Sequence, residues 1–495
     1  MRRIFSTRLI PSSLVLALVL CALAATAARR PRYGGTLTVE LEGCVTSLDP
    51  TQLQPGLENQ IAQDHLLTLI ADRLVTLDEH GRPQPSLAKY WQHDADSKHW
   101  ELFLGPNTKF QDGSPVSADA IVSSLRASNP DWKIDEGSWT HDLYSKSVIA
   151  TVIEKTVTIE FDVPQPDLLY ILAEPRNSIL LRKSFGAVVG TGPFRITTWE
   201  PGQHAVLTAN DDYWGGRPFL DSIDIQMRRA ARDRMMDLDL GKSDVVEVSP
   251  ESARLAAARG SRISASDPSE LLAVVFMRAS AAAKDIRLRQ ALSLAIDRAS
   301  LVNFVLQKEG EPASALLPQW STGYAFLFSA QTDPVAAQKL AAQISPAPVL
   351  KLGYDSADAL ERMIAERIVV NAQAAGISIA AQPLANDLPA NAPAVDARLL
   401  RLPMSSPDPG VALENYIQLF APLADLDASL TAPLDNPADP NSLYARERAI
   451  LDTDEIIPLV HLPQVAGLSP RVRDWTTSRL GGWRLADVWL DGAPQ

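Results

Sequence analysis

The stretch at 349–384 narrows the fold more than any other. It reads VLKLGYDS, then ADALERMIAERIVVNAQAAG, then ISIAAQPL: a strand, an amphipathic helix ended by Gly376, and a second strand. Two strands joined through a helix lie parallel in one sheet, so the chain must contain an α/β layer. Upstream, DIRLRQALSLAIDRASLVNFVL at 285–306 puts Ile286, Leu288, Ala291, Leu292, Ala295, Ile296 and Leu301 on one helical face, with Arg and Asp opposite. The first half of the chain is β-rich. Strand, turn, strand, turn, helix is expected over 81–125, with the strand at Trp100–Leu104 and Ser117 capping a helix from Ala118 to Leu125. Two further strands are expected at Ser147–Ile153 and Thr156–Val163, split by Glu154 and Lys155. A hairpin is expected across Glu200-Pro201-Gly202. Segments 384–396 and 420–442, rich in Ala, Pro, Asn and Asp, read as loops. The two sheets are expected to belong to different lobes.

The N-terminus has a basic start (Arg2, Arg3, Arg8), an apolar run from Leu14 to Ala25, and small residues ahead of Arg29 and Arg30. This is the plan of a secretory signal peptide cleaved after Ala27 or Ala28, followed by a short strand within 31–49. Cys21 follows Leu20 rather than a small residue, which argues against a lipid-attachment site. With that leader gone Cys44 stands alone, and the fold rests on its core rather than on disulfides. The net charge of −13 becomes more negative once the leader arginines are lost, which excludes nucleic acid and anionic membrane as partners of the overall field.

A series of segments in order then carries a resemblance: GGTLTVEL with SLDP at 47–50, DGSPVSADAIVSSL at 112–125, GTGPF at 190–194, and YWGGRPFLD at 213–221. They continue with LGKSDVVEVSPE at 240–251, DIRLRQALSLAIDR at 285–298, the βαβ unit, SPDP at 406–409, and IIPLVHLP at 456–463. In this order the chain resembles the bacterial extracellular solute-binding proteins of family 5, which carry peptides, nickel complexes and related solutes to ABC importers. The resemblance implies a two-lobed periplasmic-binding-protein-like α/β fold, with an extra β-rich subdomain in lobe one. Lobe I would be 28–262 with a subdomain inserted at about 55–185, lobe II 263–465, and 466–495 would return to lobe I. Hinges are expected near 262–268 and 463–468. It further implies a monomer in the periplasm, a peptide or small-molecule ligand closed between the lobes, and ABC permease subunits as partners. A sensor or chaperone on the same fold is the alternative.

The cleft is expected between 128–146, where relatives place a loop, and 403–416. The residues expected to bind ligand are Trp132, Trp139 and Tyr144 as flat apolar walls, with Ser405, Asp408 and Tyr416 from the second lobe. Ser405 falls where peptide carriers generally place an aspartate for the ligand's α-ammonium, and a serine lacks that charge. Catalysis has no support in the sequence. No His pair brackets a Glu at i, i+4, no thiolate cluster exists, and no Gly-X-Ser-X-Gly elbow occurs. Neither a metal nor a cofactor is expected. Gly241-Lys242-Ser243 lacks the first glycine of a phosphate loop, since Met236 stands there.

Overall fold

The computed structural model describes residues 30–492, except positions 53, 107, 146–147, 325–327, 329–330, 346, 386–394, 435–436 and 438, and except the side chains of 138–145, 148–154 and 185. The expected leader lies outside the described residues. Eleven strands form one mixed sheet. Its order is Phe194–Glu200, His204–Ala209, Ser222–Gln226, Thr36–Glu40, Val245–Val248, Ile456–Leu468, Arg262–Phe276, Ala397–Pro403, Val349–Asp355 and Ser378–Leu384, with Glu311–Pro312 also on Ile456–Leu468.

The expectation of two separate sheets is therefore corrected. Arg262–Phe276 and Ile456–Leu468 run 15 and 13 residues, long enough to serve both halves. They pair with each other; near one end Ile456–Leu468 adds Val245–Val248, and near the other Arg262–Phe276 adds Ala397–Pro403. Along LLAVVF the side chains alternate between two cores. Leu272, Val274 and Phe276 join the core under the βαβ helix, while Leu271, Ala273 and Val275 join the core around Tyr416 and Phe420. A strand covered on both faces reads as a continuous apolar run, and that is why the alternation does not show in the sequence.

Between the halves the ladder breaks. The register shifts at Ala265/Pro268 and again at Pro268/Glu270, and Pro268 stands opposite Pro463. Neither proline has an N–H to donate, so the two crossing strands lose ladder bonds at the same step.

The first half packs its own core, which includes Leu37, Phe194, Ile223, Trp475 and Trp483. A four-stranded antiparallel sheet, Ala88–His93, His99–Leu104, Val148–Glu160 and Lys133–Ser145 in that order, packs under the helix Ala118–Ser128 in a core of its own. Ser117 caps that helix through the N–H of Ala120 at 3.1 Å. Gln111 ties this subdomain to the first half, donating to the carbonyls of Ile70 (3.0 Å), Gly192 (3.1 Å) and Phe194 (2.7 Å). A Cβ on Gly190 would sit 1.9 Å from the Ile70 oxygen, so the Gly-Thr-Gly-Pro step serves close backbone approach.

The βαβ unit forms as expected: Val349–Asp355 and Ser378–Leu384 pair in parallel around the helix Ala359–Ala374. Three expectations need correction. Segment 128–146 is not a loop, since Lys133–Ser145 is a strand paired along its whole length with Val148–Glu160. Glu154 and Lys155 do not divide that partner, because they stay extended opposite Trp139 and Ser138. The helix from 286 stops at Ala295; Asp297 then caps a fresh turn through the N–H of Ser300 at 3.0 Å, and Ile286 is left exposed.

Candidate functional site

Beside the proline step, a cavity of ≈ 790 Å³, counted out to its open mouth, lies between the two halves of the sheet. The helix Leu57–Ile70 brings Glu58 and His65, seven residues apart and so on one face. The strand Val245–Val248 brings Glu247. Pro250 then opens the helix Pro250–Ala258, with Glu251 in its first turn, where the helix dipole favours a carboxylate. From the other half come Glu270, Arg401 and Asp358, and the returning C-terminal segment supplies Trp483.

Arg401 spans the two sides. Its Nη1 donates to Glu58 Oε1 at 2.7 Å and to Asp358 Oδ2 at 2.8 Å, and its Nη2 donates to Glu270 Oε2 at 2.7 Å. Burial works against its charge, but Glu270, Asp358 and Glu58 hold it firmly protonated. Asp358 also accepts from the N–H groups of Leu360 and Glu361 as the helix cap. The remaining carboxylates are less well served. Burial pushes Glu58 up to about 7 despite Arg401, and it pushes Glu247 up to about 7. Burial also raises Glu251, whose Oε2 is buried without a hydrogen bond. His65 stacks on Trp483, ring centroids 4.0 Å apart, and burial drives it down to about 3, so the imidazole is neutral. Its Nε2 lies 3.9 Å from Glu247, beyond hydrogen-bond reach.

A second crossing point lies nearer the subdomain. Asn415 donates to Glu174 Oε1 at 3.4 Å and to Ser405 Oγ, while Arg176 pairs with Glu174 at 2.6 Å. Burial lifts Glu174 to about 7. Farther along, the Arg479 guanidinium sits 5.0 Å over the Trp320 ring.

The six residues singled out from the sequence are dispersed. Ser405 takes part in the crossing at Glu174. Asp408 caps the helix Pro409–Phe420, accepting from Gly410 (2.9 Å) and Val411 (3.1 Å). Tyr416 is 1% exposed in the second half's core, and its hydroxyl donates to the Leu402 carbonyl at 3.2 Å. Trp132 sets its ring edge-on to Phe161 at 5.3 Å, against the subdomain core. The side chains of Trp139 and Tyr144 lie outside the described residues; their backbone is part of the strand Lys133–Ser145. Of the four whose side chains are described, none lines the cavity. The residues that do line it were legible as charges set inside apolar strands, Glu247 in VVEV, Glu270 in SELLAVVF and Arg401 in RLLRLP, since a charge there needs a partner or a ligand. Among the described residues no group of three or more His, Cys, Asp or Glu is arranged to hold a metal ion.

Two half-sheets joined by two long strands, with a cavity walled by both, define a two-lobed α/β fold of the periplasmic-binding-protein kind. The chain belongs to the bacterial extracellular solute-binding proteins, family 5, whose middle region matches residues 82–421. It is 27% identical over 254 residues to the "Probable D,D-dipeptide-binding periplasmic protein DdpA" of Escherichia coli K12, covering 48% of each chain. It is 27% identical over 310 residues to the glutathione-binding protein GsiB of Salmonella paratyphi A, covering 60% of this chain and 58% of that one. The matched stretches thus span about half the length of these relatives. In structure it is similar to the oligopeptide-binding protein AppA of Bacillus subtilis in complex with a nonapeptide, with a TM-score of 0.76, 18% identity, and coverage of 93% of this chain and 100% of that one.

Proposed function

We propose that this chain is the solute-capturing component of an ABC importer. It takes a peptide or similar small solute between two lobes outside the cytoplasm and presents the closed form to the permease. The lobes in this reading are 28–262 with 466–495, and 263–465. The cavity shared by both halves beside the proline step carries the proposal. A solute that touches Glu58 and Glu247 on one side and Arg401 on the other can do so only when the halves meet, so its binding energy favours the closed state. The family membership supports the same reading, as do relatives named for D,D-dipeptide and glutathione binding. In this reading the basic and apolar N-terminus is a cleaved export signal, the protein works as a monomer, and it performs no chemistry on its cargo.

Native mass spectrometry of protein exported and purified under mild conditions tests this, followed by small-angle scattering with and without the released solute. One small molecule per chain, and a smaller radius of gyration when it is added back, are the expected results. A radius of gyration that no released or added solute changes would overturn the proposal.

A further inference from the structure

The cavity wall is under-neutralised. Six carboxylates line it, Glu42, Glu58, Glu247, Glu251, Glu270 and Asp358, with Arg401 the one cationic residue among the described lining residues. Behind the wall Arg234 pairs with Glu42 at 2.6 Å. Arg401 is taken up by Glu58, Asp358 and Glu270, so the shortage falls on Glu247 and Glu251. Glu247 receives the Glu42 N–H at 2.5 Å on one oxygen, while its other oxygen faces a neutral imidazole at 3.9 Å. Glu251 has a buried oxygen with no partner. Independently of these acids, His65 lines the same cavity, is only 6% exposed, and its ring makes no hydrogen bond among the described residues. A buried polar ring left without a partner is expensive unless something arrives to meet it.

We propose that the cleft takes its solute by a cationic group, an ammonium or guanidinium, seated against Glu247 and Glu251 beside the His65–Trp483 stack. The inference rests on the solute-capture reading and names the charge of the solute. The same wall already holds one guanidinium, that of Arg401, against Glu58, Asp358 and Glu270 at 2.7 to 2.8 Å. Charge-assisted bonds of this kind are the strong ones. The surplus also couples binding to closure. Bringing the halves together desolvates acids that lack countercharges, and a cationic solute removes that penalty. An acidic solute would add to the repulsion.

The test uses the full mature chain. Random tripeptides fractionated by side-chain charge, together with spermidine and agmatine, are screened by thermal shift and titration calorimetry against the chain and its Glu247→Gln/Glu251→Gln variant. The expected result is a shift confined to the basic tripeptides or the amines, and an affinity loss of about tenfold or more in the variant. Circular dichroism of the variant should match the parent. Stronger binding of neutral or acidic fractions, or unchanged affinity for the basic probes in the variant, overturns the cationic assignment and leaves solute capture standing. Absence of binding by every fraction, with an unchanged radius of gyration, overturns both.

Discussion

Glu447 gives its oxygens three donors, whereas Glu251 keeps one buried oxygen without any. Glu447 lies fully buried in the second lobe's core and accepts from the N–H groups of Leu316 (2.6 Å) and Leu317 (3.0 Å) and from the Tyr324 hydroxyl (2.8 Å). It fastens the 316–324 segment to the helix Pro440–Leu451. Glu251 and Glu247 are only partly buried, and part of their bonding capacity faces a cavity rather than the protein. The difference separates a carboxylate that builds the fold from carboxylates that the fold holds for something else. Removing the first should cost stability outright. Removing the second should cost little until a solute is present.

The largest expected effect is at Glu447. Glu447→Ala strands two backbone N–H groups and a hydroxyl in the core, and should destabilise the chain by about 4 kcal/mol in urea unfolding. A loss under 1 kcal/mol would remove the contrast. Next comes Arg401→Ala, which leaves Glu270, 3% exposed, without its guanidinium and cuts the bridge between the halves. A loss of about 3 kcal/mol is expected, with a larger radius of gyration in scattering. Destabilisation without any opening would mean that Arg401 merely cements one lobe.

How much of this was legible in the sequence follows from the same contrast. The βαβ unit, the cap at Ser117 and the hairpin at 194–209 announce themselves because their signals are local, resting on period, cap residue and turn chemistry. The single sheet through both lobes was hidden because LLAVVF, buried on both faces, has no alternation to read. The break at Glu154-Lys155 was misread because two charged residues in succession look like a turn, yet they stay extended within a long antiparallel pair. At the site, aromatic residues drew attention as ligand walls, but Tyr416 and Trp132 are held by core neighbours. Glu58, His65, Glu247 and Arg401 come from elements up to 343 residues apart, the separation of the Arg401–Glu58 pair, and no local pattern joins them.

pH offers a third way to sharpen the comparison. Glu58 and Glu247 sit at about 7 in the fold against an ordinary 4.5. The folded state therefore binds more protons than the unfolded state between those values, and stability should rise as pH falls from 8 toward 6.5. Buried Glu174, also near 7, and buried Glu361, near 8, push the same way. His65 and His461, driven by burial to about 3 and about 4, oppose it below 6.5, because the unfolded chain then gains protons that the fold refuses. A maximum in thermal midpoint near pH 6 is expected, and Glu58→Gln together with Glu247→Gln should flatten the alkaline limb. An alkaline limb unchanged in that double variant would assign the effect to the acids outside the cavity.

Tyr416→Phe should lose about 1 kcal/mol, the worth of its bond to the Leu402 carbonyl. The loss should be equal with and without solute, as a core residue requires. If solute-induced stabilisation falls as well, the helix Pro409–Phe420 reports on the cleft and building and binding residues overlap.

The smallest effect is the most telling. Glu251→Gln on its own keeps the shape of the side chain while removing a charge that burial disfavours and that Arg401 only partly offsets. In the absence of solute the unfolding free energy should therefore change by no more than about 0.5 kcal/mol, or rise slightly, because a neutral amide needs less solvation than a carboxylate at the same depth. A residue that only builds the fold would lose stability on this change, as Glu447→Gln is expected to. A loss above about 1.5 kcal/mol at Glu251 would show that its carboxylate is satisfied within the protein and that the cavity wall carries less spare charge than its geometry indicates. An unaltered apo protein whose cationic-probe affinity falls would separate the two kinds of buried acid in a single residue.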